Sequence, residues 1–290
     1  MNNAMEPSPS GIDALLPPEV ALKAEAVGVA KTRLDALSLL ALAVLGGAFI
    51  ALGAMFATTV LAGADGVVPF GLSRLLSGLV FCLGLILVVV GGAELFTGNT
   101  LMVMAWAAGK VRLAEMLRAW LIVYVGNFIG AIGTAALVLL SGQYLSGRGS
   151  VATVALNLAL NKVNLSFDHA FFLGILCNVL VCLAVWLAFG ARTTTDKVLA
   201  IMFPVSSFVV AGFEHSVANM YFIPLALFIK AFAPDGLWLQ LGTSADHYAA
   251  LTWPAFFVSL VPVTLGNIVG GGGLVGAVYW FIYLRKRPAG

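Results

Sequence analysis

Charge is what this sequence has least of. Only 10% of its 290 residues are Asp, Glu, Lys or Arg, against about 25% in soluble globular chains. A surface so poor in charge cannot face water all round. The net charge of +2 and the absence of any long basic run exclude a nucleic-acid partner, whose phosphates call for many cations. Cysteine is scarce too: Cys82, Cys177 and Cys182 are the three. Each lies in an apolar run, where a thiol packs as a small hydrophobe. No Cys-x-x-Cys or metal-ligand spacing occurs, which excludes a disulfide framework and a zinc site. No cofactor signature is present. Ser206, Ser207 and Ser216 lie near His215, but no catalytic motif surrounds them, so an enzyme is not expected. The N-terminus is no secretory signal, because its basic residues sit just before the hydrophobic run with acidic ones among them.

What is present is apolar. Hydrophobic residues make up 61% of the chain, and the mean hydropathy is +1.04, so a bilayer is the solvent. Four uncharged stretches mark uninterrupted spans, bracketed by Asp35 and Asp65, Arg118 and Arg148, His169 and Arg192, and His247 and Arg285. The first holds about 29 residues, ample for a helix that needs about 20. Two further stretches, from Leu75 to Gly109 and from Val198 to Ile229, are apolar except near their middles, where Glu94 stands in one and Glu214 with His215 in the other. Both are longer than a simple span. Both carry glycine at the middle: Gly91, Gly92 and Gly98 in the first, Gly212 in the second. Two half-helices meeting at a non-helical turn account for length, glycine and buried charge together. The fold expected is an all-α membrane protein of six transmembrane helices with the second and fifth broken.

Lysine and arginine orient it. With a cytoplasmic N-terminus, eleven of the fifteen lie inside, and Arg74, Arg148, Lys162 and Lys230 lie outside. Both termini are therefore expected in the cytoplasm. Residues 1–34 form an N-terminal segment, partly an amphipathic helix beginning near Pro17 and Pro18. Residues 35–285 form one transmembrane channel domain, and 286–290 a cytoplasmic tail. Trp106, Trp120, Trp253 and Trp280 lie towards span ends and read as an interfacial belt.

An internal repeat points to the pathway. Gly92-Ala-Glu94-Leu-Phe-Thr-Gly-Asn99 aligns with Gly212-Phe-Glu214-His-Ser-Val-Ala-Asn219, and Gly126-Asn127-Phe-Ile-Gly130 matches Gly266-Asn267-Ile-Val-Gly270. Two halves of three spans, at about 35–145 and 165–285, must run in opposite directions because three is odd. That is an inverted repeat, whose broken helices meet near the midplane with their half-helix N-termini inward and their N–H groups offered to an anion. His215 is a mid-membrane ionisable group, which by default marks a pathway. Glu94, Glu214, Asn99 and Asn219 read as structural, holding the breaks: a carboxylate-lined pore would repel an anion, whereas a glutamate at a break can accept from freed backbone N–H groups. Lys162 reads either as a snorkelling interfacial cation or as one that concentrates anions at the outer mouth.

At these residues the chain resembles the formate/nitrite transporter family. The hallmark segments stand as Gly91-Gly-Ala-Glu-Leu-Phe-Thr-Gly-Asn99, Leu176-Cys-Asn-Val-Leu-Val-Cys-Leu-Ala-Val-Trp186 and Ala211-Gly-Phe-Glu-His-Ser-Val-Ala-Asn-Met220, and the resemblance spans roughly residues 25 to 285. It implies an aquaporin-like protomer in a homopentamer in a bacterial inner membrane, each protomer with its own pore for formate, nitrite, hydrosulfide or a related weak-acid anion. It makes His215 the central pore histidine with Thr97 opposite it, Asn178 a polar neighbour, and Phe81, Leu85, Leu95 and Phe208 the apolar constrictions. It favours the anion-concentrating role for Lys162. Formate is the anion expected. Family formate channels often carry Ser-Thr where this chain has Gly98-Asn99. Water, glycerol and ammonia channels are the rival class, but the half-helix tips here read Gly-Asn-Thr and Ala-Asn-Met, without the Asn-Pro-Ala of aquaporins or the paired histidines of ammonium channels.

Overall fold

Proline opens the first helix. Pro17 and Pro18 begin α1 (Pro17–Thr32), where a missing N–H leaves no intrahelical bond unmade, and the Glu19 carboxylate accepts from the Leu16 N–H at 2.7 Å. Asp35 then caps α2 (Ala36–Leu61), its side chain accepting from the N–H groups of Leu37 and Ser38. In the computed structural model residues 14–286 are described; Glu6, Asp13, Arg287 and most of the expected tail lie outside them. Among the described residues all regular structure is helical.

The first half continues with α3 (Phe70–Gly91), which stops at Gly92. After an extended stretch the chain restarts as α4 (Phe96–Asn99), a tight turn (Thr100–Met102) and α5 (Val103–Ala107), and then crosses as α6 (Leu113–Leu140). The second half follows: α7 (Ser150–Val163), α8 (Phe167–Gly190), α9 (Thr194–Ala211), a break, and α10 (Ser216–Phe232). A turn of 109° leads into α11 (Asp235–Leu241). The last span runs from α12 (Trp253–Ile268) through a π-helical stretch (Val269–Ala277) into α13 (Val278–Tyr283).

Six helices among the described residues are long and apolar enough to cross a membrane, starting at Ala36, Phe70, Leu113, Phe167, Thr194 and Ala245. They fall in the six stretches expected. Their outward faces carry bare apolar side chains such as Leu140 and Phe203, stable only against lipid.

The interruptions coincide with the two mid-membrane motifs. Gly92 (φ +82°) and Gly212 (φ +73°) end α3 and α9 in the left-handed region, which glycine adopts without a Cβ penalty. The other sequence echo has a packing role. A Cβ on Gly130 would fall on the Val44 carbonyl of α2, and one on Gly270 would fall on the Ile175 carbonyl of α8. Small residues thus let α6 close on α2, and the last span close on α8, to backbone contact.

One tryptophan departs from the expected belt. Trp106 and Trp253 are exposed, but Trp120 is buried and its Nε1–H donates to the Asn99 carbonyl at 2.9 Å. Position along a span does not reveal which face a ring occupies.

Candidate functional site

Each break exposes backbone that must find partners, because the bilayer interior holds no water to supply them. Asparagine side chains supply them. Asn127 Oδ1 accepts from the Phe96 N–H at 2.9 Å, while its Nδ2 donates to the carbonyls of Ala43 and Glu94 at 2.7 and 2.8 Å. Asn267 repeats the pattern: Oδ1 accepts from Ser216 N–H at 2.9 Å, and Nδ2 donates to the carbonyls of Gly174 and Glu214 at 2.8 and 3.0 Å.

The two glutamates do a different job from the one expected. Among the described residues, neither carboxylate accepts from freed backbone. Glu94 Oε2 accepts from Asn99 Nδ2 at 2.7 Å and from Lys31 Nζ at 2.9 Å, and Lys31 also donates to Asn99 Oδ1 at 2.6 Å. Glu214 accepts from Asn219 Nδ2 and from Lys162 Nζ, both at 2.7 Å. Each break is therefore a Lys–Glu–Asn cluster beside a three-bonded asparagine. Burial explains the pairing, since a lone carboxylate at this depth would be strongly destabilising.

Two cavities approach the breaks from opposite ends of α3. The first, about 260 Å³, is lined by Lys31, Glu94 and Asn99, with Leu85 and Leu95 at its end. The second, about 360 Å³, holds Lys162, Glu214 and Asn219, with Phe81, Phe208 and His215 at its end. Phe81 and Leu85 lie four residues apart on one helix, so the barrier between the cavities is about 6 Å thick at a rise of 1.5 Å per residue. The barrier is apolar and tight. Phe81 and Phe208 pack edge to face with centroids 5.6 Å apart, Phe208 stacks on His215 at 6.0 Å, and all four constriction residues are buried.

One polar contact crosses that barrier. Thr97 Oγ1 lies 3.0 Å from His215 Nε2, joining the first turn of one half-helix to the cap of the other. His215 Nδ1 accepts from the Ala218 N–H at 3.1 Å, so the neutral ring carries its proton on Nε2 and donates it to Thr97. Not every half-helix N–H is left for an anion, since those of Phe96, Ser216 and Ala218 are already engaged.

Asn178 sits behind this contact and lines neither cavity. Its Nδ2 donates to the carbonyls of Asn267 and Thr97 at 2.6 and 3.2 Å and to Thr100 Oγ1 at 3.1 Å. It ties the two breaks together. Of the residues proposed from the sequence, His215 and Thr97 are therefore adjacent, and the four apolar ones divide between the cavity ends. Lys31, Asn127 and Asn267 were missed. The echo around Asn127 and Asn267 was a sufficient signal for two of them, but nothing local distinguishes Lys31 from other basic residues near the N-terminus.

Comparison with known proteins decides the family. The profile of the formate/nitrite transporter family matches residues 18–281. This chain belongs to that family. It is 43% identical over 276 residues to the formate channel FocA of Escherichia coli K12, covering 95% of this chain and 96% of FocA. Among solved structures it resembles a pentameric formate channel with formate bound, with a TM-score of 0.82 at 45% identity over 86% of this chain and 98% of that one. It also resembles an ion channel of the same family, with a TM-score of 0.78 at 30% identity over 91% and 98%. The chain is thus a multi-pass membrane transport protein, and the family match runs from the start of α1 into α13, taking in both Lys–Glu–Asn clusters.

Proposed function

We propose that this chain conducts formate, a small monovalent weak-acid anion, across a bacterial inner membrane, working as a homopentamer with one pathway per protomer. The observation that carries the reading is the Thr97–His215 contact at 3.0 Å, set in an apolar barrier between two polar cavities. The relatives named as formate channels and the pentameric neighbour with formate bound support the substrate and the assembly. The lysine and arginine distribution supports cytoplasmic termini. The paired break clusters support an inverted repeat of two halves, with residues 35–285 as one channel domain.

The mechanism follows from desolvation. A bare carboxylate entering a greasy passage about 6 Å long loses its hydration and gains little in return, whereas the neutral acid does not carry that penalty. The net positive charge of the second cavity, lined by Arg74, Lys162 and Glu214, raises the local anion concentration there. At the barrier a proton taken from water neutralises the anion, and the proton is returned to water on the far side. His215 and Thr97 position the anion for that transfer: the ring keeps its Nε2 proton and donates it as a hydrogen bond to Thr97, whose hydroxyl in turn donates to the passing carboxylate. Phe81, Phe208, Leu85 and Leu95 keep bulk water out of the passage, and Asn178 holds the Thr97 carbonyl in register. No metal, cofactor or covalent intermediate enters.

Formate uptake into proteoliposomes across pH 5–8 tests this. Wild type should transport formate with a clear pH dependence, and His215→Phe should abolish uptake or flatten its pH profile. An unchanged profile would remove the histidine from the mechanism. Swelling assays with formate, nitrite, hydrosulfide and glycerol separate the substrate reading from its relatives; glycerol passage without formate passage would overturn it.

A further inference from the structure

The two cavities differ in charge, and the difference traces to one side chain. The ionisable residues lining the first are Lys31 and Glu94, which pair at 2.9 Å. Those lining the second are Arg74, Lys162, Glu214 and His215. There Lys162 and Glu214 pair at 2.7 Å, both largely buried. Lys162 is further committed to the ring of Phe222, 5.4 Å from its centroid. Arg74 has no such partner. Among the described residues no carboxylate lies within ion-pair distance of it, and its Nε is buried without an acceptor. Its neighbours are the Phe70 ring, 5.9 Å from the guanidinium carbon to the centroid, and Gly212 at the break, where a Cβ would lie 3.1 Å from Nη2.

We propose that Arg74, and not Lys162, is the residue that gathers the anion in the second cavity: its guanidinium forms a binding site for a small monovalent oxyanion at the approach to Phe81 and Phe208. This rests on the channel reading above. A lysine already neutralised by a glutamate adds little field at the distance of an entering ion, because the two charges cancel beyond their own separation. The Glu214 carboxylate also acts on Arg74 from beyond ion-pair distance, but with Lys162 counted the cavity keeps one net positive charge, and the guanidinium offers a planar fork that matches a carboxylate. Lys162 then serves the break, holding Glu214 and through it Asn219, as Lys31 does on the other side. The lack of a carboxylate beside Arg74 has a direct functional consequence, since a partner in place would occupy the fork an entering anion needs. A carboxylate and nitrite share the chemistry the fork recognises, so the site sets anion recruitment and leaves selection to the barrier.

Conductance of the purified full-length oligomer in planar bilayers, at low and near-physiological ionic strength, tests this. The Debye length falls from about 30 Å at 0.01 M to about 8 Å at 0.15 M. Arg74→Gln should lower formate conductance about three- to tenfold at low salt, the scale of one unit charge acting at a few ångströms through water. It should lower it much less at high salt, and Arg74→Lys should keep most of it. Arg148→Gln, which removes the same charge from an exposed loop position, should have little effect. Equal losses in Arg74→Gln and Arg148→Gln, or a loss independent of salt, would overturn the proposal. If Arg74→Gln does not elute as the wild-type oligomer, wild type alone is decisive. Its inward current should be more salt-sensitive with anion on one face than on the other, and equal sensitivity would overturn the proposal. Nitrite run in parallel separates the two readings: Arg74-dependent nitrite current with no formate current supports the site and removes formate as substrate.

Discussion

Asn127→Ala is the sharpest test of how the first break is held. The side chain makes three hydrogen bonds to backbone, at 2.7, 2.8 and 2.9 Å, and is fully buried. Its loss leaves one N–H and two carbonyls without partners. Hydrogen bonds between membrane helices are worth about 0.6 kcal/mol each on average, which sets a floor of roughly 2 kcal/mol. Leaving buried groups unsatisfied costs about 1–3 kcal/mol each, so three give a ceiling of about 9 kcal/mol. Water entering the vacated space relieves part of that, and we expect about 2–5 kcal/mol. At roughly 2–4 °C per kcal/mol for a large chain, the oligomer's melting midpoint should fall by about 4–20 °C. Thermal challenge in detergent followed by size-exclusion chromatography reads this directly, with formate flux measured on the same preparations. Asn127→Asp keeps the acceptor for Phe96 but loses both donors and brings a charge against two carbonyls, so it should be no milder. Asn267→Ala should cost a similar amount, because it removes the same three kinds of bond. A midpoint within about 1 °C of wild type and unchanged flux for Asn127→Ala would refute this account of the break.

Two other sets of contacts, the glycine packing sites and the Lys31–Glu94 pair, give further predictions. Gly130→Ala and Gly270→Ala would each drive a methyl into a facing carbonyl, so neither should yield a stable oligomer on chromatography. Gly133→Ala, which meets only open space, should be neutral or stabilising by up to about 1 kcal/mol of helix propensity. Lys31→Met strands the Glu94 carboxylate and should destabilise by about 3–5 kcal/mol, as broken buried pairs do. Adding Glu94→Gln should recover much of that in the same melting assay. A double variant no better than Lys31→Met would show that the lysine acts through something other than the glutamate.

Much of this architecture was legible in the sequence. Bilayer physics forbids charge in a span without a reason, so Glu94, Glu214 and His215 stood out against apolar surroundings, and glycines beside them marked where helix gave way to loop. The spans followed from the position and length of the uncharged apolar stretches. Partnership was not legible. That Glu94 takes Lys31 and Asn99 instead of backbone N–H groups depends on how α1 lies against the bundle, and no local pattern encodes that. Trp120 looked like its belt-forming relatives because depth in the membrane is readable from sequence position while rotation about the helix axis is not. Asn178 was noticed for its polarity, yet only the three acceptors of its Nδ2 reveal that it faces the breaks, and it lines neither cavity.

Under the inverted-repeat reading proposed above, the lysines bear on where each unit begins. Lys31 is the penultimate residue of α1, and Lys162 is the penultimate residue of α7. Each helix precedes its three spans, and each delivers its lysine to the glutamate of the break that follows. Three-span halves leave both helices out, as an N-terminal segment and a linker. Matching position and matching partner argue instead for a unit of one short helix followed by three spans. The intervals differ, 63 residues from Lys31 to Glu94 and 52 from Lys162 to Glu214, because both the helices and the turn between them are longer in the first case. A constant offset therefore finds the glutamates and asparagines at 120 but cannot find the lysines. What the two breaks share is the spatial contact of a lysine with the buried carboxylate, at different spacings along the chain.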